Sequence, residues 1–148
     1  MFVKSIKTGA VLGSALFLAT SSALASDGAA TLHVTLEGVK ASEGKLYISV
    51  QSEADFMEER GAAGGIYEMS AAGDKSYSYN VPAGEYAVSI WHDTDNDGKF
   101  SMDANWIPTD GWGSSGTTDI SKQPSFDDLK VVIDSQGAAV TIPMIYAE

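Results

Sequence analysis

The chain has 148 residues, 9 basic against 20 acidic side chains, a formal net charge of −11 and no cysteine. That length suits one domain around one core rather than two, and an acidic balance of this size disfavours nucleic acid as a partner and makes cations the natural counterpart. Without cysteine there is no disulfide, thiolate nucleophile or lipid-bearing cysteine, so stability has to come from packing, with bound metal as a helper.

Lys4 and Lys7 precede an apolar run, Ala10 to Ala19, and Ala23-Leu24-Ala25 follows it. This is the pattern of a secretory signal peptide, residues 1–25, cleaved after Ala25. Residues 26–148 then form the mature domain, with 7 basic and 20 acidic residues and a net charge of −13. A periplasmic or secreted location follows. No later apolar run is long enough to span a bilayer, so the mature chain is expected to lack a transmembrane segment.

Thr31 to Glu37 alternates strictly, with Leu32, Val34 and Leu36 on one face, and Gly38 ends the pattern; this is the signature of a half-buried strand. Lys45 to Gln51 repeats it with Leu46, Ile48 and Val50 inward, and the short Ala41-Ser42-Glu43-Gly44 connection predicts a hairpin. Ser52 to Arg60 carries a Ser cap, early acids and a final Arg, which predicts one or two helical turns with Phe56 and Met57 tucked under the sheet. Gly61 to Gly65 reads as a mobile linker, and Gly65 to Ser70 as a candidate extra strand.

Ser76 to Val81 alternates again, Pro82-Ala83-Gly84 predicts a tight hairpin turn, and Glu85 to His92 places Tyr86, Val88 and Ile90 on one face. The alternation then stops from Asp93 to Ser125, a length at which an irregular segment inside a compact domain is usually functional or disordered. Phe126 to Asp134 and Ala138 to Tyr146 read as a last strand pair around Ser135-Gln136-Gly137, with Pro143 marking an edge or bulge. The fold class is therefore all-β: a single antiparallel β-sandwich of about seven strands, immunoglobulin-like or prealbumin-like, with one long Asp/Gly/Trp-rich loop. Its expected core comprises Leu32, Val34, Leu36, Leu46, Ile48, Val50, Val88, Ile90, Val131, Ile133, Val140 and Ile142.

Function is expected in that loop, HDTDNDGKFSMDANWIPTDGWGSS from His92 to Ser115. Asp93, Asp95 and Asp97 alternate ahead of Gly98, the spacing by which carboxylates at positions 1, 3 and 5 converge on Ca²⁺ while a glycine turns the chain and the next carbonyl, that of Lys99, meets the ion. Position 12 is Ala104 rather than glutamate, and the nearest acid is Asp103, so the loop departs from an EF-hand. The predicted ligands are Asp93, Asp95, Asp97, the Lys99 carbonyl and Asp103. The competing reading is an Asp/Asn/Gly turn whose acids are solvated.

Other constellations are weaker. Trp91, Trp106 and Trp112 flank the acids, and aromatic faces beside carboxylates suit sugars, so Trp106, Trp112 and His92 are candidate ligand-binding residues; an indole folded over the end of a sandwich is the structural alternative. His92 beside acids could bind a transition metal, or serve as a hydrogen-bonded structural residue. Asp93 with Asp110 could be written as a glycoside-hydrolase pair. Almost any acidic loop would allow that, and no H-E-x-x-H, G-x-S-x-G or P-loop is present, so the protein is expected not to be an enzyme.

The order of these features is also informative: a leader, an alternating strand pair, Pro82-Ala83-Gly84-x-Tyr86, His92-Asp93, the Asp-rich Gly98 loop, Ile107-Pro108, Gly111-Trp112-Gly113-Ser114 and Pro124-x-Phe126. It resembles the bacterial exported family catalogued as domain of unknown function number 2141. Trp106-Ile107-Pro108 and Trp112 depart from the family's usual Gly before Pro and its usual aromatic position. The resemblance implies an exported β-sandwich and assigns no activity. A looser likeness joins Asp93, Asp95, Asp97 and Asp103 to the Ca²⁺ loops of bacterial surface adhesin repeats. The expected function is thus a non-catalytic binding, adhesion or envelope-associated module with a Ca²⁺-stabilised acidic loop, its partner an envelope or extracellular component, with a glycan as one candidate.

Overall fold

The computed structural model describes residues 28–117, 119 and 121–148; the signal-peptide expectation for residues 1–25 lies outside them. Eight strands follow in order: β1 Ala29–Val39, β2 Lys45–Gln51, β3 Ala63–Glu68, β4 Gly73–Pro82, β5 Gly84–His92, β6 Gly111–Ser114, β7 Lys130–Ile133 and β8 Ala138–Pro143. They form two sheets, β4-β1-β8 and β3-β2-β5-β6, with β7 also paired to β5. Every ladder is antiparallel except β1–β8, which is parallel. Among the described residues no helix is long and apolar enough to cross a membrane.

The sheets face each other across the alternating residues. Leu32, Val34 and Leu36 from one sheet meet Leu46, Ile48, Val50, Val88 and Ile90 from the other, joined by Ile133 and Ile142. Ten of the twelve expected core residues are buried; Val131 and Val140 are half-buried against the cluster. Burying such a side chain contributes roughly 1.5–3 kcal/mol, so this cluster is the main stabilising term.

The strand partners differ from the expected hairpins. β1 and β2, β4 and β5, and β7 and β8 lie in opposite sheets, so each of the three short connections crosses the sandwich. Alternation dictates which face a residue takes and leaves the neighbouring strand open. Between β7 and β8 only the Asp134–Gly137 bridge forms before β8 departs to lie beside β1. Pro143 ends that edge strand, as expected.

Four local expectations change. Gly61 to Gly65 is no mobile linker, since residues 63–65 open β3 and pair with Ile48 to Val50. Ser52 to Arg60 contains the expected helical turn, the 3-10 turn Glu53–Asp55, and Phe56 packs inward, but Met57 stays exposed. Phe126 to Leu129 is one helical turn, α1, held by a capping box between Ser125 and Asp128 that overrides the strand pattern. The irregular stretch hides β6, which lacks β-branched residues but runs beside β5 with Trp112 opposite Trp91.

β5 is the hinge of the site. On the side away from β2 it pairs with β7 through Gly84–Ala87 and with β6 through Ser89–His92. Buried Ser115 fills the junction: its N–H donates to the Val88 carbonyl, its Oγ accepts from the Val88 N–H and donates to the Leu129 carbonyl at 2.5 Å. A side-chain hydroxyl thereby completes the ladder where the two short strands leave a gap.

Candidate functional site

The acidic loop leaves the end of β5, and its first two residues are buried. His92 is fully buried; its Nδ1 lies 2.8 Å from the Tyr146 hydroxyl and its Nε2 2.8 Å from Ser42 Oγ. The Lys40 N–H donates to the Tyr146 oxygen, and the two ring nitrogens take the Tyr146 and Ser42 hydroxyls as partners, one nitrogen as donor and the other as acceptor. Burial pushes the imidazole below its ordinary value, against the Asp110 and Asp93 carboxylates, which pull it up. His92 is thus a neutral structural tie between the β1–β2 connection and the C-terminal tail. Gly111 permits that packing, because a Cβ there would strike the Tyr146 ring.

The five loop aspartates divide into four uses. Asp93, 1 % exposed, accepts the Asp97 N–H at 3.1 Å and the Gly98 N–H at 3.0 Å, pulling the loop into a tight coil. Asp110, also 1 % exposed, accepts from Trp91 Nε1 at 3.0 Å, the Ser101 N–H at 3.2 Å and both the N–H and hydroxyl of Thr94. It clamps both arms of the loop to the indole. Asp95 and Asp97 are exposed, and one carboxylate oxygen from each of Asp93, Asp95 and Asp97 lies within 4.8 Å of the others. Desolvation, then the Asp97 and Asp110 charges, hold the Asp95 carboxyl above its usual value despite the Asp97 N–H that it accepts.

Three predicted ligands therefore converge. The Lys99 carbonyl shares a donor with Asp97, since Ser101 Oγ reaches both that carbonyl at 3.5 Å and Asp97 Oδ2 at 3.4 Å. Asp103 stands outside this cluster: its carboxylate accepts from the Ile107 and Asn105 N–H groups, which lower its pKa. That turn presents Trp106 at a positive φ of 62° and 81 % exposed. Trp112 sits instead on β6, half-buried, its backbone bonded to Ile145. The two indoles thus occupy a loop tip and a sheet face.

A second feature was not legible from the residues one by one. Registered across β3, β2, β5 and β6, the outer face carries two rows, Ile66–Tyr47–Trp91–Trp112 and Gly64–Ser49–Ser89–Ser114. Tyr47 and Trp91 stack at 4.4 Å, and Phe100, from the acidic loop, meets Trp91 edge to face at 6.3 Å. Beside them runs an open groove of about 680 Å³, bordered by Glu59 and Gly61. Farther along the same face, Phe126, Leu129 and Phe56 cover Ala87.

The carboxylates and carbonyl of the loop are hard oxygen donors, the set that a Ca²⁺ ion takes. Both buried aspartates accept N–H donors, Asp93 from the backbone and Asp110 from backbone and indole. No curated protein and no solved structure matches the chain. Over residues 34–141 the sequence matches the family described as "Uncharacterized protein conserved in bacteria (DUF2141)", and the chain belongs to that family.

Proposed function

We propose that this protein is an exported, non-catalytic binding module of the cell envelope or exterior, whose acidic loop is closed by Ca²⁺. The observation that carries the reading is the convergence of Asp93, Asp95 and Asp97 within 4.8 Å. Three carboxylates this close repel one another unless a cation is shared among them. Asp93, Asp95, Asp97 and the Lys99 carbonyl would hold the ion, which would supply charge neutralisation and fix the coil; Asp103, satisfied by its own turn, would contribute least.

With few protein ligands the site should be weak, with a Kd on the order of 10⁻⁴ to 10⁻³ M as in extracellular modules. Calcium at tenfold excess over Kd would then stabilise the fold by about 1.4 kcal/mol, a rise in melting temperature of about 5 °C for a domain of this size. The test is the melting temperature in millimolar Ca²⁺, in Mg²⁺ and in chelator, for the unaltered protein and for Asp95→Ala. A Ca²⁺-specific rise that Asp95→Ala abolishes is expected. Equal midpoints in all three conditions for the unaltered protein would overturn the metal reading.

A further inference from the structure

We propose that the groove on the outer face of the five-stranded sheet is a binding site for a neutral oligosaccharide. The inference rests on the non-catalytic binding reading above, but uses residues apart from the acidic cluster. One wall is apolar: the stacked Tyr47 and Trp91, Phe100 at 44 % exposure and Ile66 at 63 %. The floor is the row of Gly64, Ser49 and Ser89, and Glu59 stands at the far border. Glycine at 61 keeps that side open, since a Cβ there would come within 3.0 Å of Ser49 Oγ.

The floor hydroxyls distinguish a ligand site from a bare apolar face. On the other sheet, outward hydroxyls and amides are bonded to each other: Thr31 to Asn80, His33 to Ser78, Thr35 to Ser76. Among the described residues, the Ser49 and Ser89 hydroxyls have no such partner, and they point from the centre of a sheet into the groove. Hydroxyl donors and acceptors along an aromatic wall match a ligand with C–H faces and many hydroxyls. The volume lies in the range of small-ligand sites, about 300 to 1,000 Å³. A mature net charge of −13 disfavours polyanionic glycans by repulsion and favours neutral ones.

The wall is tied to the loop, because Asp110 holds the Trp91 indole and the Ser101 N–H on either side of Phe100. Ordering the loop should therefore sharpen binding.

The experiment is titration of the purified protein with cellohexaose, maltohexaose and chitohexaose, by tryptophan fluorescence and calorimetry, in Ca²⁺ and in chelator. A heparin hexasaccharide and palmitate serve as polyanionic and acyl-chain comparisons. At least one neutral hexaose should bind saturably with a millimolar or tighter Kd, and both Phe100→Ala, which removes an exposed wall, and Ser89→Phe, which fills the floor, should weaken it at least tenfold. Melting curves verify that both variants fold; should Ser89→Phe not fold, Ser49→Asn is the second floor variant. The inference fails if no neutral hexaose binds, if only heparin or palmitate binds, or if the wall and floor variants leave sugar binding unchanged. A sugar signal that is absent while the Ca²⁺ melting shift persists overturns this inference alone, and the converse overturns only the metal-closed loop. Release of new reducing ends would overturn the non-catalytic reading.

Discussion

The two sheets are built alike on the inside and oppositely on the outside. Outward from β1 and β4 stand Thr31, His33, Thr35, Ser76, Ser78 and Asn80, paired across the strands into a self-satisfied polar surface. Outward from β2 and β5 stand Tyr47, Ser49, Ser89 and Trp91, an aromatic row beside unpaired hydroxyls. Both faces obey the same alternation. The difference teaches that function here is to be sought where surface groups are left with unused bonding capacity, and the acidic loop and α1 are the devices that frame that region.

The largest test of this contrast is Asp110→Ala. Removing the carboxylate leaves the Trp91 indole N–H and the Ser101 and Thr94 N–H groups without their acceptor in a part-buried site, and each stranded donor costs on the order of 1–3 kcal/mol. We expect about 3 kcal/mol lost in urea denaturation, with a changed near-ultraviolet signal from Trp91. A loss below about 1 kcal/mol would mean that the clamp does not hold the aromatic wall.

Next is Ser125→Ala, which deletes the N-cap of α1 at a typical cost of about 1 kcal/mol. Because α1 brings Phe126 and Leu129 over Ala87, the loss should come with faster hydrogen exchange at the β7 end of β5 and little change near Trp91. Uniform exchange changes along β5 would show that the covered and open halves of this face are not separate.

The third is a slope rather than a step. Burial lowers the His92 pKa, so between its folded and unfolded values the unfolded chain binds more protons, and stability rises with pH. In chelator, unfolding free energy should fall as the pH drops from 7 to 5, and His92→Gln should flatten that fall. An unchanged slope in the variant would assign the effect elsewhere. Smallest is Asn80→Ala on the polar face, where loss of an exposed hydrogen bond to Thr31 should stay within about 0.5 kcal/mol.

How much of this was readable in the chain follows from how local each feature is. The loop cluster was legible because Asp93, Asp95 and Asp97 are neighbours in sequence and Gly98, at a φ of 75°, supplies the turn that brings them together. Inward faces were legible from Leu32, Val34 and Leu36, or Leu46, Ile48 and Val50, since alternation is a property of one strand. The groove was not, because it depends on Ser49 lying opposite both Gly64 and Ser89. Trp91 was read as a flank of the loop, whereas its register beside Tyr47 makes it part of a wall. Asp110 looked like half of a catalytic pair; only its four donors reveal a clamp. β6 escaped notice because Gly111 and Gly113 read as breakers, although a Cβ at Gly113 would press on the Ile142 side chain and the Pro143 carbonyl.

The parallel pairing of β1 with β8 has a consequence for how the chain reaches this state. Leu32 meets Ala138 and Leu36 meets Ile142, so the smaller sheet closes only when segments from opposite ends of the sequence find each other. Closing so long a loop costs entropy before any contact is gained, and folds dominated by such pairings form in roughly milliseconds to seconds. Until Ala138–Pro143 is available, β1 has β4 as its sole sheet neighbour and Ile142 is missing from the core. A chain emerging in order would thus remain uncommitted until nearly all of it had appeared.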